Sequence, residues 1–391
     1  IMPPKNTAES SKDHLPNQMV ISMVAAVAIA HLLNDLIQAV LPAIYPMLKT
    51  EFNLSFSQIG LIALIYQITA SLLQPFVGLY TDRHPLPYLL PVGMSITLIG
   101  IAVMAFATHF YILLLAAVLV GIGSSTFHPE ASRVARMASG GRFGTAQSAF
   151  QVGGNSGSAI GPLLAALIIV PNGKSAVAWF TGFALLAIFI LFRVSRWLIQ
   201  QAQQPKKQSA VQHTGLKGIL LYRALGVIGI LMLVKFTYIA SISNYYTFYL
   251  MERFSLSLVQ SQVYLFAFLA AVALGTFAGG PIGDKIGRSA VIWVSFLGII
   301  PFALVLPYVN LMWTAILSIM IGLVISSAFS AMVVYAQEAM PGRVGLVSGL
   351  MFGMMFGIGG IAAAGLGVLA DHFGIIFVYQ LCAFLPLLGL L

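Results

Sequence analysis

Long apolar stretches follow one another along nearly the whole chain, and short polar turns separate them. A bilayer core is crossed by about 20 consecutive apolar residues in a helix. The pattern therefore predicts twelve membrane-spanning helices. They are placed at residues 19–48, 55–80, 87–106, 110–136, 143–170, 175–199, 218–250, 257–283, 289–308, 310–340, 342–370 and 375–391.

Two polar stretches divide this series. Residues 1–18 are predicted to form an N-terminal tail, and the apolar run after them is too long for a signal peptide, so the first span is expected to stay. Residues 200–217 are rich in glutamine and lysine and are predicted to form a flexible linker. The linker leaves an N-terminal six-helix lobe at 19–199 and a C-terminal six-helix lobe at 218–391.

The two halves repeat each other at an offset of 202 positions. A Gly-x-x-x-Asp turn closes the second span at Gly78 and Asp82, and another closes the eighth span at Gly280 and Asp284. The same offset carries Phe52, Leu54, Ser55 and Gln58 onto Phe254, Leu256, Ser257 and Gln260. The repeat predicts an all-α membrane protein with two pseudo-symmetric six-helix lobes, as in secondary transporters.

The composition and the charge distribution agree with a membrane location. Charged residues are 7% of the chain and hydrophobic residues 59%. Nearly all lysines and arginines fall on one side of the predicted spans, leaving only Lys49, Lys174 and Arg253 outside. The positive-inside rule then places both termini and the linker in the cytoplasm. The net charge of +9 thus reflects topology and not nucleic-acid binding, although the basic linker can contact anionic lipids.

Polar residues lie on one face of the first span. His31, Asn34, Asp35 and Gln38 follow helical spacing in an otherwise apolar segment. Burial disfavours the charged form of Asp35, so this carboxyl group can carry a coupled proton, which His31 can assist. Asn34 and Gln38 are candidate substrate ligands. The alternative is that the four side chains only join helices by hydrogen bonds.

The fourth span carries a second polar group, around Pro129. His128 and Glu130 are candidates for proton coupling. The alternative is a structural ion pair between Glu130 and Arg133. In the fifth span Gln147, Gln151 and Asn155 recur every four residues and form either a substrate-facing stripe or a packing stripe.

Lys235 is the only cation predicted at mid-membrane. A buried ammonium needs a counter-charge, so Lys235 is a candidate ligand for an anionic substrate, with Tyr238 and Tyr245 on or near its face. The alternative is a permanent salt bridge from Lys235 to Asp35 or Glu130.

The residues around the two Gly-x-x-x-Asp turns are candidate gating residues. Arg133 or Arg136 is expected to pair with Asp82, and Glu338 with Lys285 or Arg288, in a latch that breaks when the protein opens to the cytoplasm. Static surface ion pairs are the alternative. The full gating set is Gly78, Asp82, Arg83, Arg133, Arg136, Gly280, Asp284, Lys285, Arg288 and Glu338.

The duplicated turns and the twelve spans resemble the major facilitator superfamily. The fifth span also has glycines at positions 153, 157 and 161 followed by Pro162, which is similar to the antiporter motif of drug/proton exporters in that superfamily. We expect Gly153, Gly157, Gly161 and Pro162 to pack the lobes together. Those exporters carry an arginine four residues before the glycine of the fourth span, where this chain has Ala117.

Longer runs resemble the fosmidomycin-resistance family of Gram-negative bacteria. They include 31–35, 127–142, 150–155 and 243–250, with the His-Pro-Glu-x-Ser-Arg run beginning at His128. The resemblance implies proton-driven export of a small phosphonate antibiotic from the inner membrane, with no cofactor and in a monomer. Proton-coupled uptake of a small organic anion is the alternative function. No histidine spacing typical of a metalloenzyme occurs, so neither an enzyme nor a metal site is expected.

Overall fold

The structure is a computed structural model that describes residues 18–44, 47–48, 51–54, 56–203, 218–256 and 258–390. The predicted tail, except residue 18, and the predicted linker from residue 204 onward lie outside the described residues. Within those ranges the chain is helical and none of its residues belongs to a β-strand. The all-α architecture of two six-helix lobes is confirmed.

In the described ranges, six long helices form the N-terminal lobe, called the N-lobe. They are α1 (Ile21–Ala43), α2 (Phe56–Arg83), α3 (Leu89–Ala105), α4 (Phe110–Met137), α5 (Phe143–Leu164) and α6 (Thr181–Gln203). A π-helical segment at Ala165–Ile169 and a turn at Val170–Asn172 extend α5, and a 3₁₀ segment at Lys174–Phe180 leads into α6.

Six further helices form the C-terminal lobe, called the C-lobe. They are α7 (Gly218–Phe254), α8 (Leu258–Ile286), α9 (Arg288–Val305), α10 (Leu311–Ser326 as α10a and Ala328–Ala339 as α10b), α11 (Val344–Phe373) and α12 (Ile375–Cys382). Short 3₁₀ segments follow α9 at Leu306–Tyr308 and α12 at Leu385–Leu390. Each predicted span overlaps one of the twelve helices.

The outer surface of the helix bundle is apolar, as expected for a surface that contacts lipid. Eight helical segments in the described ranges are long and apolar enough to cross a membrane, and two shorter apolar ones accompany them. Large apolar side chains such as Tyr111, Leu167 and Ile361 are more than two-thirds exposed, while His31, Glu130 and other polar groups are buried. Apolar outside and polar inside is the arrangement that a bilayer favours.

The glycine stripe of α5 packs against α1. A methyl group added to Gly153 or Gly157 would overlap a main-chain carbonyl of α1, and one added to Gly161 would lie 2.7 Å from Ala39 Cβ, also in α1. The prediction that these glycines join the two lobes is therefore wrong, because a small-xxx-small stripe does not identify its neighbour. Pro162 lies among the residues whose side chains are not described.

The most extensive contacts between the lobes are those of α2 with α11 and of α5 with α8. At the end that carries the Gly-x-x-x-Asp turns, here called the turn end, a methyl group on Gly78 would overlap Gly345. Farther along α11, a methyl on Gly353 would lie 2.8 Å from Ser71 O, and one on Gly357 would lie 3.9 Å from Ser71 Oγ. The two helices are thus in tight contact at the turn end and diverge away from it.

Candidate functional site

A buried carboxylate in the N-lobe lies between two histidines. Asp35 Oδ2 is 3.4 Å from His31 Nε2, one turn earlier in α1, and Asp35 Oδ1 is 3.4 Å from His128 Nε2 in α4. Both histidines are fully buried, and Asp35 is 8% exposed. Asn34 Nδ2 donates to Asp35 Oδ1 at 3.0 Å. The close approach of α5 depends on Gly154, where a methyl group would collide with the His31 ring.

Main-chain carbonyls orient both imidazole rings. His31 Nδ1 lies 2.7 Å from Phe150 O and His128 Nδ1 lies 3.0 Å from Ser124 O. A carbonyl oxygen only accepts, so both Nδ1 atoms carry a hydrogen, and in neutral rings both Nε2 atoms present a lone pair to Asp35. Asn34 donates to the carboxylate, but neither Nε2 lone pair has a donor among the described residues, and acceptors that face one another in this way are unfavourable. This group, the Asp35 cluster, therefore favours at least one additional proton.

The Asp35 cluster also has the donor types of a metal site. One ligand atom from each of Asp35, His31 and His128 can be found within 4.8 Å of the others. Zinc sites made only of protein ligands use four donors, and the described residues add no fourth histidine, cysteine or carboxylate to this group. A proton satisfies the same three acceptors without a fourth ligand.

Glu130 and Arg133 form a buried ion pair within α4. Arg133 Nη2 lies 2.5 Å from Glu130 Oε1, and Arg133 Nη1 donates to Thr81 O in the last turn of α2 at 3.1 Å. The geometry matches the structural alternative for Glu130. The two residues of α4 that were predicted to couple protons therefore belong to different groups: His128 lies in the Asp35 cluster, and Glu130 pairs with Arg133.

The remaining polar residues of α1 and α5 mostly bind protein groups. Gln38 Oε1 accepts from Tyr66 OH at 2.6 Å and from Ser124 Oγ at 3.1 Å. Asn155 Nδ2 donates to Thr276 Oγ1 of α8 at 3.1 Å, and Gln151 Nε2 donates to Asn155 Oδ1 at 3.4 Å. These contacts support packing, while substrate binding by Asn34, Gln38, Gln147, Gln151 and Asn155 stays a prediction.

Lys235 in α7 is a buried cation without a counter-charge. The side chain is 1% exposed, and its Nζ atom has no hydrogen-bond partner among the described residues. The rings of Phe236 and Phe329 each lie 5.6 Å from Nζ, within the range of cation–π attraction. The alternative of a salt bridge to Asp35 or Glu130 is not seen in the described part of the chain.

The two predicted tyrosines differ in their surroundings. Tyr238 is 3% exposed and packs in the hydrophobic core of the C-lobe with Tyr246 and Tyr249. Tyr245 is half-buried and packs against the same core. The position of Tyr238 favours a packing role, and substrate binding by Tyr238 and Tyr245 stays a prediction.

A series of aromatic contacts runs from Lys235 to the Asp35 cluster. Phe352 of α11 lies 5.3 Å from the His128 ring and 5.4 Å from Phe329 of α10b, measured between ring centroids. Phe352 is fully buried and Phe329 is 3% exposed. The sequence does not single out these residues, because single phenylalanines in apolar spans carry no distinguishing pattern.

Each aspartate of the duplicated turns binds the start of a helix in the opposite lobe. Asp82 accepts from Gly345 N at 2.8 Å and from Leu346 N at 2.9 Å, at the start of α11. Asp284 accepts from Gly144 N at 2.9 Å and from Thr145 N at 2.7 Å, at the start of α5. Free amides and the helix dipole both favour an anion at such positions. We call these two contacts the aspartate latches.

The predicted side-chain partners of the latch are partly wrong. Asp82 binds main-chain amides, while Arg133 binds Glu130 and Thr81 O, and Arg136 Nη1 donates to Gln337 Oε1 at 3.1 Å. The expected contact of Glu338 is present, with Arg288 Nη2 at 3.3 Å, and Arg288 also lies 3.1 Å from Asp284. Arg83 and Lys285 are exposed.

A buried polar group, here called the polar clasp, also joins the lobes at the turn end. Gln337 Nε2 donates to Ser348 Oγ at 2.8 Å and to Ser132 Oγ at 3.4 Å. Ser132 Oγ donates to Gln147 Oε1 at 2.9 Å. Gln337 and Ser348 were missed by the sequence analysis, although a glutamine within an apolar span is a signal that could have identified one of them.

A separate groove of about 410 Å³ lies on the C-lobe between α7, α9, α10b and the last 3₁₀ segment. Arg223, Trp293 and Phe296 are among its lining residues. None of the predicted site residues lines it, so it is not part of the candidate site.

Replacing Asp82 by alanine is expected to loosen the start of α11. Hydrogen bonds to charged groups contribute about 1.5–3 kcal/mol each, so amide exchange at residues 345 and 346 should accelerate by about tenfold or more. Hydrogen–deuterium exchange of the purified protein measures this. Residues 144 and 145 should also exchange faster, because the two aspartate latches open together if the lobes rock as rigid bodies. Tyr80→Phe, which changes an exposed side chain of the same helix, is the matched control, and unchanged exchange in Asp82→Ala would contradict a latch.

Comparison with protein families matches residues 27–364 to the model described as Major Facilitator Superfamily. Among its relatives, the Fosmidomycin resistance protein of Escherichia coli (strain K12) is 57% identical over 370 residues, which are 94% of this chain and 91% of that protein. An uncharacterised MFS-type transporter of Bacillus subtilis (strain 168), YfnC, is 43% identical over 380 residues, covering 96% of this chain and 93% of the relative.

Solved structures of low sequence identity share the fold. The transporter FucP in its outward conformation superposes with a TM-score of 0.70 at 12% identity, covering 94% of this chain and 97% of FucP. A bacterial homologue of the iron transporter ferroportin in an outward-facing state gives 0.71 at 15% identity, covering 94% of this chain and 98% of the homologue.

Proposed function

The chain belongs to the Major Facilitator Superfamily, and from this we propose that it exports a small anionic antibiotic, of the phosphonate type, in exchange for protons. It is a multi-pass membrane protein and a transporter rather than an enzyme. The substrate proposal draws on the 57% identity to a protein named for fosmidomycin resistance, since fosmidomycin is a small phosphonate.

The observation that carries proton coupling is the Asp35 cluster. A carboxylate facing two imidazole lone pairs in a buried site favours an added proton and becomes unfavourable when that proton leaves. The charged or titratable groups around Asp35 are His31 of its own helix and His128 of α4, while α5 and α11 face the cluster with Gly154 and Phe352. Proton binding and release can thus change the stability of one transport state against the other.

The surroundings of Lys235 support the proposal that the substrate is an anion. A buried ammonium without a partner is stabilised by any anion that reaches it, and a phosphonate offers several acceptor oxygens. Two more distant relatives, at 23% identity each, are a nitrite extrusion protein and a probable nitrate transporter, whose names also refer to small anions.

The aspartate latches and the polar clasp support alternating access. With the turn end facing the cytoplasm, as the charge distribution predicts, the structure is closed on the cytoplasmic side, and breaking these contacts would open it there. The proposal places the protein in the bacterial inner membrane with both termini in the cytoplasm. One chain carries both lobes, so a monomer suffices, and the basic linker can contact anionic lipids.

The direction of flux distinguishes export from the alternative, proton-coupled uptake of a small organic anion. In everted membrane vesicles energised to be acidic and positive inside, an exporter accumulates radiolabelled fosmidomycin. One elementary charge moved across about 100 mV supplies about 2.3 kcal/mol, enough for a roughly 50-fold substrate gradient.

The accumulation should collapse on addition of a protonophore and should persist in the presence of a metal chelator. Accumulation in right-side-out vesicles driven by an inward proton gradient would contradict export and show proton-coupled uptake instead. A growth-inhibition panel in cells with and without the protein, including phosphonates and neutral antibiotics, checks the substrate class independently.

A further inference from the structure

Two phenylalanines separate the ammonium of the C-lobe from the carboxylate of the N-lobe. The sequence of contacts runs from Lys235 Nζ to Phe329 at 5.6 Å, from Phe329 to Phe352 at 5.4 Å, and from Phe352 to His128 at 5.3 Å. Phe352 also faces Phe150 of α5 at 5.9 Å. Opposite charges attract strongly in a site of low dielectric constant, so rings in this position prevent a direct pair between Lys235 and Asp35.

Electrostatics alone would couple the two sites with the sign of symport. An anion held by Lys235 attracts a proton to the Asp35 cluster, and by reciprocity a proton on the cluster strengthens anion binding. Exchange requires the opposite relation, in which each ligand weakens the binding of the other. An exporter that exchanges anions for protons therefore needs a structural feature with two effects. It must weaken this attraction, and it must disfavour the state in which the anion and the proton are bound together.

We propose that Phe352, supported by Phe329, is a positioning residue that separates the proton site from the anion site and makes their occupancies compete. The inference rests on the proposed function. Phe352 contacts the Asp35 cluster on one side and the phenyl ring beside Lys235 on the other, in a fully buried position. An anion that displaces Phe329 pushes Phe352 toward His128, and a protonated cluster that holds Phe352 in place leaves no room for the anion.

The coupling appears in the pH dependence of ligand binding. Binding of fosmidomycin to the purified full chain should weaken in wild type by about tenfold between about pH 8 and pH 6, a coupling of ordinary size. In Phe352→Ala the loss of affinity between about pH 8 and pH 6 should shrink to about twofold or reverse. Without the ring, nothing opposes the attraction between the bound anion and the proton on the Asp35 cluster. The phosphonate itself titrates in this range, so the quantity compared is the ratio of variant to wild-type affinity at each pH.

Phe356→Ala is the matched control. Phe356 lies one turn farther along α11, and among the described ring contacts it touches His128 alone, at 5.2 Å. It should retain the wild-type pH dependence. Phe352→Leu, which removes the ring but keeps most of the volume, should lose a measurable part of the competition and serves if the alanine variant does not fold.

The outcomes separate this inference from the function on which it rests. A wild-type pH dependence that Phe352→Ala and Phe352→Leu both retain would overturn the role of Phe352 and leave proton-coupled export intact. If wild type shows no competition, or binds more tightly at low pH, the antiport proposal itself fails and the role assigned to Phe352 fails with it.

Discussion

Replacing Asp35 by asparagine is expected to abolish proton-coupled export while leaving the protein folded. The substitution keeps the volume of the side chain and supplies a hydrogen-bond donor toward the lone pair of His31 or His128, so it removes the need for a proton in the cluster. Resistance of cells expressing Asp35→Asn should fall to that of cells without the protein. In vesicles, energised accumulation should drop by about tenfold or more, because the cluster no longer contains a carboxylate that stabilises an added proton.

A second measurement shows whether binding survives. Exchange of labelled for unlabelled substrate across the membrane involves no net proton movement, so Asp35→Asn should retain it. Glu130→Gln is the comparison variant, since Glu130 is buried nearby but is already paired with Arg133. Full resistance from a well-expressed Asp35→Asn protein, with loss in Glu130→Gln, would move the proton role to Glu130.

Replacing Lys235 by alanine is expected to weaken binding of an anionic substrate far more than binding of a neutral one. The lost interaction is a charge-assisted hydrogen bond at a fully buried position, worth about 1.5–3 kcal/mol, or roughly a 10- to 150-fold loss of affinity. Lys235→Arg should be tolerated only in part, because the planar guanidinium changes both the distance and the direction of its donors. Binding of one charged and one uncharged substrate to each variant provides the test.

The same lysine predicts a gain in stability. Lys235→Met keeps the length of the side chain and removes a buried charge that has no partner among the described residues, so the empty protein should melt at a higher temperature than wild type. Equal losses of affinity for both substrates, or a lower melting temperature for Lys235→Met, would show that Lys235 is stabilised inside the protein and is not held for a ligand.

The helical architecture could be predicted because its determinants are local and repeated. Twenty-residue apolar stretches and the 202-position offset between Asp82 and Asp284 gave the number of helices and the two lobes. The small interruptions were not predicted. The break of α10 at Ser327 has no proline to mark it. Pro162 and Pro171 lie close to the π-helical segment at Ala165–Ile169, but a proline does not indicate which irregular form a helix takes.

The candidate site was predictable only within single helices. Helical spacing placed His31 and Asp35 on one face, and the structure has them in contact. The contact of His128 with Asp35 depends on how α4 crosses α1, which no spacing within α4 reveals. The aspartate latches escaped prediction for a different reason: their partners are main-chain amides, which every residue except proline carries.

The reciprocal form of the aspartate latches has a consequence for the origin of the chain. Asp82 of the first half holds a helix of the second half, and Asp284 of the second half holds the corresponding helix of the first. Contacts of this kind, in which one patch meets its own copy, define the isologous interface of a symmetric homodimer. The present contact between the lobes has the geometry of such a dimer, so an ancestral single-lobe protein could have closed by the same two contacts before gene fusion joined its subunits.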